Sequence, residues 1–281
     1  FNASQYGHYV QSYVPVFLDV LEEYLPSLIK ESKQVLWSES KQGPSAVMET
    51  RIGELVLSQT NIPLELTSDE WAGFWSKYVA EQLKTNGLSF FGPQQDKIQG
   101  LIKRVELVHK HQLSDDFPVV STSALIQQVN EWLLPYLTDV KSKKQLLKLN
   151  FVELLESWIG WQHSQTLKQW CPLVYQNPAG KKVKIDYSGQ APKISVRLQE
   201  MFGEPQSPTI CLGKQAILIE LLSPAQRPLQ LTQDLANFWQ NAYVEVKKEM
   251  KGRYPKHRWP DEPANELPGA SLKKHQPKPS T

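Results

Sequence analysis

Cysteine is nearly absent from this chain of 281 residues, with Cys171 and Cys211 alone. Two thiols far apart in sequence make no disulfide framework and fit a reducing, cytoplasmic compartment. No CxxC pair occurs and the six histidines are dispersed, which gives no metal-ligand pattern. His109 and His111 are two apart and face different sides of a helix. No phosphate loop is present either: Gly180-Lys181-Lys182 and Gly213-Lys214 lack the glycine spacing and the following hydroxyl. GxGxxG, GxSxG and HExxH are missing. Asp186, Glu200 and Glu204 are neighbours in sequence, but nothing fixes their geometry, so no catalytic residue and no cofactor is expected. No apolar run approaches the ~18 residues of a membrane span, which excludes a spanning helix. A net charge of +2 does not mark a nucleic-acid binder, so any such role must come from local patches. The chain opens on Phe1 in mid-pattern, without an initiating Met or a signal peptide, as a piece of something longer would.

What is present is organised around Ser223 to Pro263. Pro224 and Pro228 bound an extended entry, Thr232 is the expected N-cap, and Asp234 suits the positive end of the helix that follows. Leu235, Phe238, Trp239, Ala242, Val246 and Met250 form one helical stripe, and Gly252 with Pro255 ends it. The exit, Arg253 to Pro260, is basic and aromatic together. From Glu245 to Arg258 six Lys/Arg stand against two Glu. Two readings stay open. Lysines at a helix C-terminus complement the macrodipole while Tyr254 and Trp259 cover the core; or cations beside flat rings track phosphates and stack on bases.

Residues 5–30 carry a helical period through Tyr6, Tyr9, Tyr13, Phe17, Tyr24 and Leu28, with Pro15 and Pro26 interrupting it. The tyrosines either contact a ligand or form a face packed on a neighbour. Gln34 to Trp37, Ala46 to Thr50 and Glu54 to Leu57 read as short strands, with turns at Gly43-Pro44 and Gly53. Thr67 to Trp170 reads as helices, opened by a capping box at Thr67 and Glu70. Lys97, Lys103, Arg104 and Lys110 give the helix from Gln94 to His111 a cationic outer face. Further helices are expected over 123–137, 143–155 and 158–170. From Leu173 the period is two, which predicts one hairpin over 183–198 and a second over 209–222, forming a four-stranded sheet for the last helix to pack on. Strands followed by one long helix make the chain α+β. Ala264 to Thr281, rich in Pro, Lys and Ser, is expected to be disordered. The expected divisions are 1–62, 63–170, 171–263 and the tail 264–281.

Four blocks resemble the C-terminal region of bacterial HrpB proteins, ATP-dependent helicases related to the DEAH-box RNA helicases. They are Val196 to Gly203, Glu220 to Pro228, Asp234 to Trp239, and Lys251 to His257 with Trp259-Pro260. The resemblance is specific from about Gly180 to Pro263. It is weaker over Val35 to Leu57, where Glu54 stands in a small-residue position. It implies two RecA-like motor domains elsewhere in the parent, followed by winged-helix, helical-bundle and OB-like modules that handle a single strand. The early strands would then be the OB-like part, and the late α+β unit the family-specific domain.

The partners implied are RNA or single-stranded nucleic acid and the motor domains of the same parent chain, with no membrane. The nucleic-acid reading places one exposed ridge at Lys247, Lys248, Lys251, Arg253, Tyr254, Lys256 and Arg258. Carboxylate pairs within the chain at three or more of its cations would make the ridge structural and take away the basis of the binding reading. The alternative is a protein-docking platform anchored by Tyr254 and Trp259.

Overall fold

The structure, a computed structural model, describes residues 2–4, 7–9 and 17–269. Two short antiparallel strands, β1 (Asn2–Ser4) and β2 (Gly7–Tyr9), stand where a helix was expected, and helix is confined to α1 (Leu18–Tyr24). Tyr6, Tyr13 and Pro15 lie outside the described residues. A meander follows, β3 (Ile29–Ser38), β4 (Gly43–Ile52) and β5 (Leu55–Ile62), paired antiparallel in that order. The strands run longer than their apolar cores suggest because the turns are tight. The first turn precedes Gly43, with Gln42 at φ 49°, and the second uses Gly53 at φ 54°.

Helix α2 (Ser68–Asn86) starts as its capping box requires. The Thr67 N–H donates to Glu70 Oε2 at 2.8 Å, and the Glu70 N–H to Thr67 Oγ1 at 3.3 Å. Next come α3 (Gln95–Lys110), α4 (Thr122–Gln127), α5 (Val129–Trp132), α6 (Lys143–Leu146), α7 (Phe151–Ile159) and α8 (Trp161–Trp170). The helices expected over 123–137 and 143–155 are therefore cut into shorter ones, while the one expected over 158–170 stands as α8. Asn150 caps α7 through its Oδ1, and Gly160 at φ 92° separates α7 from α8.

The rest is β6 (Val174–Gln176), β7 (Lys182–Lys184), β8 (Lys193–Arg197), β9 (Thr209–Ile210), β10 (Gln215–Ala216), β11 (Leu218–Leu222), β12 (Pro228–Thr232), α9 (Leu235–Gln240) and α10 (Ala242–Arg253). The α+β class holds; its details differ from expectation. No hairpin joins 183–187 to 194–198. β7 pairs with β6, β8 lies parallel to β11, and only the bridge Asp186 to Lys193 links the two runs. The Asp186 carboxylate accepts from the Ser188 N–H at 2.9 Å, which turns the chain early. The main C-terminal sheet has three strands in the order β12-β11-β8, with Ile219 and Leu221 fully buried on one face of β11. The last helix breaks at Asn241, and its N-cap is Asp234, whose Oδ1 accepts from the Asn237 N–H at 2.9 Å.

Two compact units result, one of residues 1–78 with 134–149 and one of 79–133 with 150–281, so neither is a consecutive segment. The first is built around Trp75, which is fully buried and donates its indole N–H to the Val140 carbonyl at 2.8 Å. Trp37 stacks on Tyr78 at 4.6 Å between centroids, and the Lys143 ammonium sits 5.4 Å from the Trp37 ring. The second unit has an aromatic knot of Phe91, Trp132 and Phe151, and another of Phe202, Phe238, Trp239 and Tyr243 beside the three-stranded sheet.

Candidate nucleic-acid interface

The expected ridge is carried by α10 and the extended segment after it. Lys248, Lys251 and Lys256 are exposed. Lys247 is not free: its ammonium pairs with Asp261, and its side chain is 18% exposed. The hydrogen bond from Lys247 holds the Asp261 carboxyl below the usual carboxylate range. Arg253 is exposed and pairs with Glu249 at 3.3 Å, one helical turn back. Arg258 is 5% exposed and points inward. It donates to Glu266 Oε1 at 3.1 Å and to the carbonyls of Leu267 at 2.5 Å and Gly269 at 3.4 Å, and lies over the Phe202 ring at 6.0 Å. Tyr254 is half-buried, with its ring edge-on to His257.

Three of the six cations are thus engaged by carboxylates of the same chain. By the criterion stated above, the six-cation ridge is structural. Arg258 is a correction in the strict sense: a buried guanidinium cannot track a phosphate backbone. The other three, Lys248, Lys251 and Lys256, are exposed, while Arg253 is exposed but held by Glu249.

The cause lies just past the window in which charge was counted. Asp261, Glu262 and Glu266 follow Arg258, and over 245–266 the balance is six Lys/Arg against five Asp/Glu. The segment expected to be disordered from Ala264 supplies Arg258 with its acceptors. Through Gly269 it is ordered: the Gly269 N–H donates to the Gln199 carbonyl at 2.9 Å, and a Cβ on Gly203 would meet the Glu266 carbonyl at 2.9 Å. Residues 270–281 lie outside the described residues. Trp259 is 7% exposed and donates to the Tyr254 carbonyl at 3.0 Å, which makes it a core residue. Tyr243 donates to the Pro260 carbonyl at 3.0 Å, and burial raises its phenol pKa above the usual range. Residues 253–269 therefore form a clasp over the aromatic knot.

The expected cationic face of α3 is also reduced. Arg104 is 2% exposed and donates from Nε to the Cys171 carbonyl at 2.6 Å, while Lys103 pairs with Glu106 at 2.8 Å. A different, apolar surface is exposed around α1. Phe17 (69%), Val20, Tyr24 (71%), Leu25 and Leu28 are all exposed large apolar side chains within one short segment around α1. Its signal was the apolar period of residues 5–30, for which a ligand contact and a face packed on a neighbour both stood open.

The family described as ATP-dependent helicase C-terminal matches residues 132–263. The chain is 37% identical over 261 residues to the ATP-dependent RNA helicase HrpB of Escherichia coli, covering 92% of this chain and 32% of that protein. The chain belongs to the HrpB helicase family, as its C-terminal region. A crystal structure of the E. coli DExH-box NTPase HrpB superposes with a TM-score of 0.69 at 36% identity, over 91% of this chain and 31% of that one. A second, of the Escherichia coli DEAH/RHA helicase HrpB, gives 0.60 at 32% identity, over 84% of this chain and 29% of that one. The chain spans about a third of the length of these relatives. The blocks that carried the HrpB resemblance are largely core, since Val196, Phe202, Leu221, Leu235, Phe238, Trp239 and Trp259 are all buried. They mark how the HrpB C-terminal region folds. Among the described residues no helix is long and apolar enough to cross a membrane, and no cluster of three metal-ligating side chains occurs.

Proposed function

We propose that this chain is a non-catalytic accessory region of an ATP-dependent RNA helicase, and that it acts by docking on the motor domains in the rest of its parent. The observation that carries this reading is the exposed apolar segment Phe17, Val20, Tyr24, Leu25 and Leu28. Apolar side chains in such a contiguous group mark interaction surfaces. About two thirds of the E. coli relative's length lies outside the match, which leaves room for such a partner. The sequence itself has no phosphate loop, so ATP hydrolysis belongs to the partner. The test is titration of this chain against the remaining two thirds of an HrpB-type helicase, expressed separately. Binding at micromolar Kd or tighter is expected, with no ATPase activity in this chain alone. Absence of binding, or RNA-stimulated turnover by this chain that survives repurification, ends the reading.

A second reading keeps a direct RNA contact, confined to Lys248, Lys251 and Lys256. What supports it is their common exposure on α10 and its exit. Such a patch positions a strand without reading its sequence. The cytoplasm is the compartment that suits this role.

A further inference from the structure

The two cysteines, far apart in sequence, meet in the fold. Cys171 follows α8, and Cys211 opens the turn between β9 and β10. Their Sγ atoms are 3.3 Å apart, both are free thiols, and both are fully buried. The backbone ties the two segments at the same point, since the Cys211 N–H donates to the Trp170 carbonyl at 2.7 Å.

A buried free cysteine ordinarily serves as a small apolar side chain. Two features set this pair apart. The first is the turn that carries Cys211. Cys211, Leu212 and Gly213 have φ of 55°, 55° and 85° in succession, and the first two carry side chains that disfavour this region. Leu212 is 67% exposed, so a strained turn holds Cys211 one residue from solvent. Local opening of that turn admits a small oxidant. The second feature is the asymmetry of the thiols. The hydrogen bond shared with Cys171, and then the charge of Lys110, draw the Cys211 pKa below the usual thiol range against the effect of burial. The same hydrogen bond and burial push Cys171 up.

We propose that Cys171 and Cys211 form a redox modification site for hydroperoxides, with Cys211 as the attacking thiolate and Cys171 as the resolving thiol. The Cys211 sulfur attacks one peroxide oxygen; an S–O bond forms as the O–O bond breaks. The other oxygen leaves as hydroxide and becomes water with the proton Cys211 had released. Cys171 then attacks the Cys211 sulfur; the S–S bond forms as the S–O bond breaks. The departing hydroxide takes the Cys171 proton as a second water. The dithiol loses two electrons, and the peroxide gains them. Closure would staple the end of α8 to the β9–β10 turn within the second unit.

The 281-residue chain is treated with hydrogen peroxide under native conditions, alkylated, and examined by intact mass and peptide mapping. The expected result is loss of two hydrogens, disappearance of both alkylatable thiols, one Cys171–Cys211 linked peptide pair, and reversal by dithiothreitol. Cys171→Ser should leave a Cys211 sulfenic acid that dimedone traps, and Cys211→Ser should leave Cys171 unoxidised. The wild-type mass and map decide the question even if a variant fails to fold. Reaction only after unfolding in urea, conversion to sulfinic acids without a linked pair, or linkage only between molecules overturns the proposal.

Discussion

Residues 17–28 and 245–258 are each a short segment whose composition points one way and whose burial points the other. The first is apolar, yet Phe17 and Tyr24 are 69% and 71% exposed. The second is basic, yet Arg258 is 5% exposed and Lys247 is turned onto a carboxylate. The difference is where the partner groups lie. Arg258 finds its acceptors at Glu266, Leu267 and Gly269, within the next turn of chain. The apolar side chains of Phe17, Val20, Tyr24, Leu25 and Leu28 have no such cover among the described residues and face out. Local composition states what a segment needs; the fold decides whether the same chain supplies it.

The largest effect that tests this contrast is on stability. Trp259→Ala empties a buried site and removes the indole bond to Tyr254, and should cost about 3–5 kcal/mol in urea unfolding. Arg258→Ala should cost about 3 kcal/mol, because it leaves the carboxylate of Glu266 and the carbonyls behind it without their donor. RNA affinity of the still-folded fraction should be unchanged for both. A loss below about 1 kcal/mol for each would show that 253–269 is no clasp, and the basic segment would return as a surface.

The apolar segment should behave in the opposite way. Phe17→Ser with Tyr24→Ser removes exposed side chains, so the thermal midpoint should stay within a few degrees. Binding to the motor region should weaken by at least about tenfold, equivalent to about 1.4 kcal/mol. If calorimetry shows a large fall in stability instead, the segment is covered by its own chain and the docking reading fails.

How much of this was legible follows the same rule. The capping box at Thr67 and Glu70 was, because both partners sit three residues apart. The α+β class followed from the change of period at Leu173. Strand partners did not, because alternation fixes which face is buried and not which strand lies alongside. β8 therefore pairs in parallel with β11 across an intervening segment. The helix breaks at Asn150 and Asn241 were missed because the apolar stripe continues through them. At the candidate interface, exposure of Lys248 and Lys251 was legible from helical spacing, and that of Lys256 from the non-helical exit after Gly252. The inward turn of Arg258 was not, since Glu266 lay in a stretch whose Pro, Lys and Ser content read as disorder. The Cys171–Cys211 contact was out of reach, because nothing local announces a meeting across 40 positions.

The smallest effect separates the two states of a lysine on one helix. Each phosphate neutralised on a single strand contributes about −0.7 to the slope of log K against log salt. A free patch of Lys248, Lys251 and Lys256 should give a slope of roughly −2 for RNA binding. Lys251→Ala should flatten it by about 0.7, equally for unrelated sequences, because phosphate contacts carry no base information. Lys247→Ala should leave it unchanged, since that ammonium is already held by Asp261. The sign of the pH dependence follows from the same pair. The Asp261 pKa is depressed by Lys247, so the carboxylate stays charged at neutral pH, and the pair is lost only as pH falls through that lowered value. Below it Lys247 is released, and from there Lys247→Ala should flatten the slope as Lys251→Ala does. Equal flattening by both variants at pH 7 would show that Asp261 does not hold Lys247 in solution. No measurable RNA affinity above that of a neutral control protein at low salt would remove the second reading and leave docking alone.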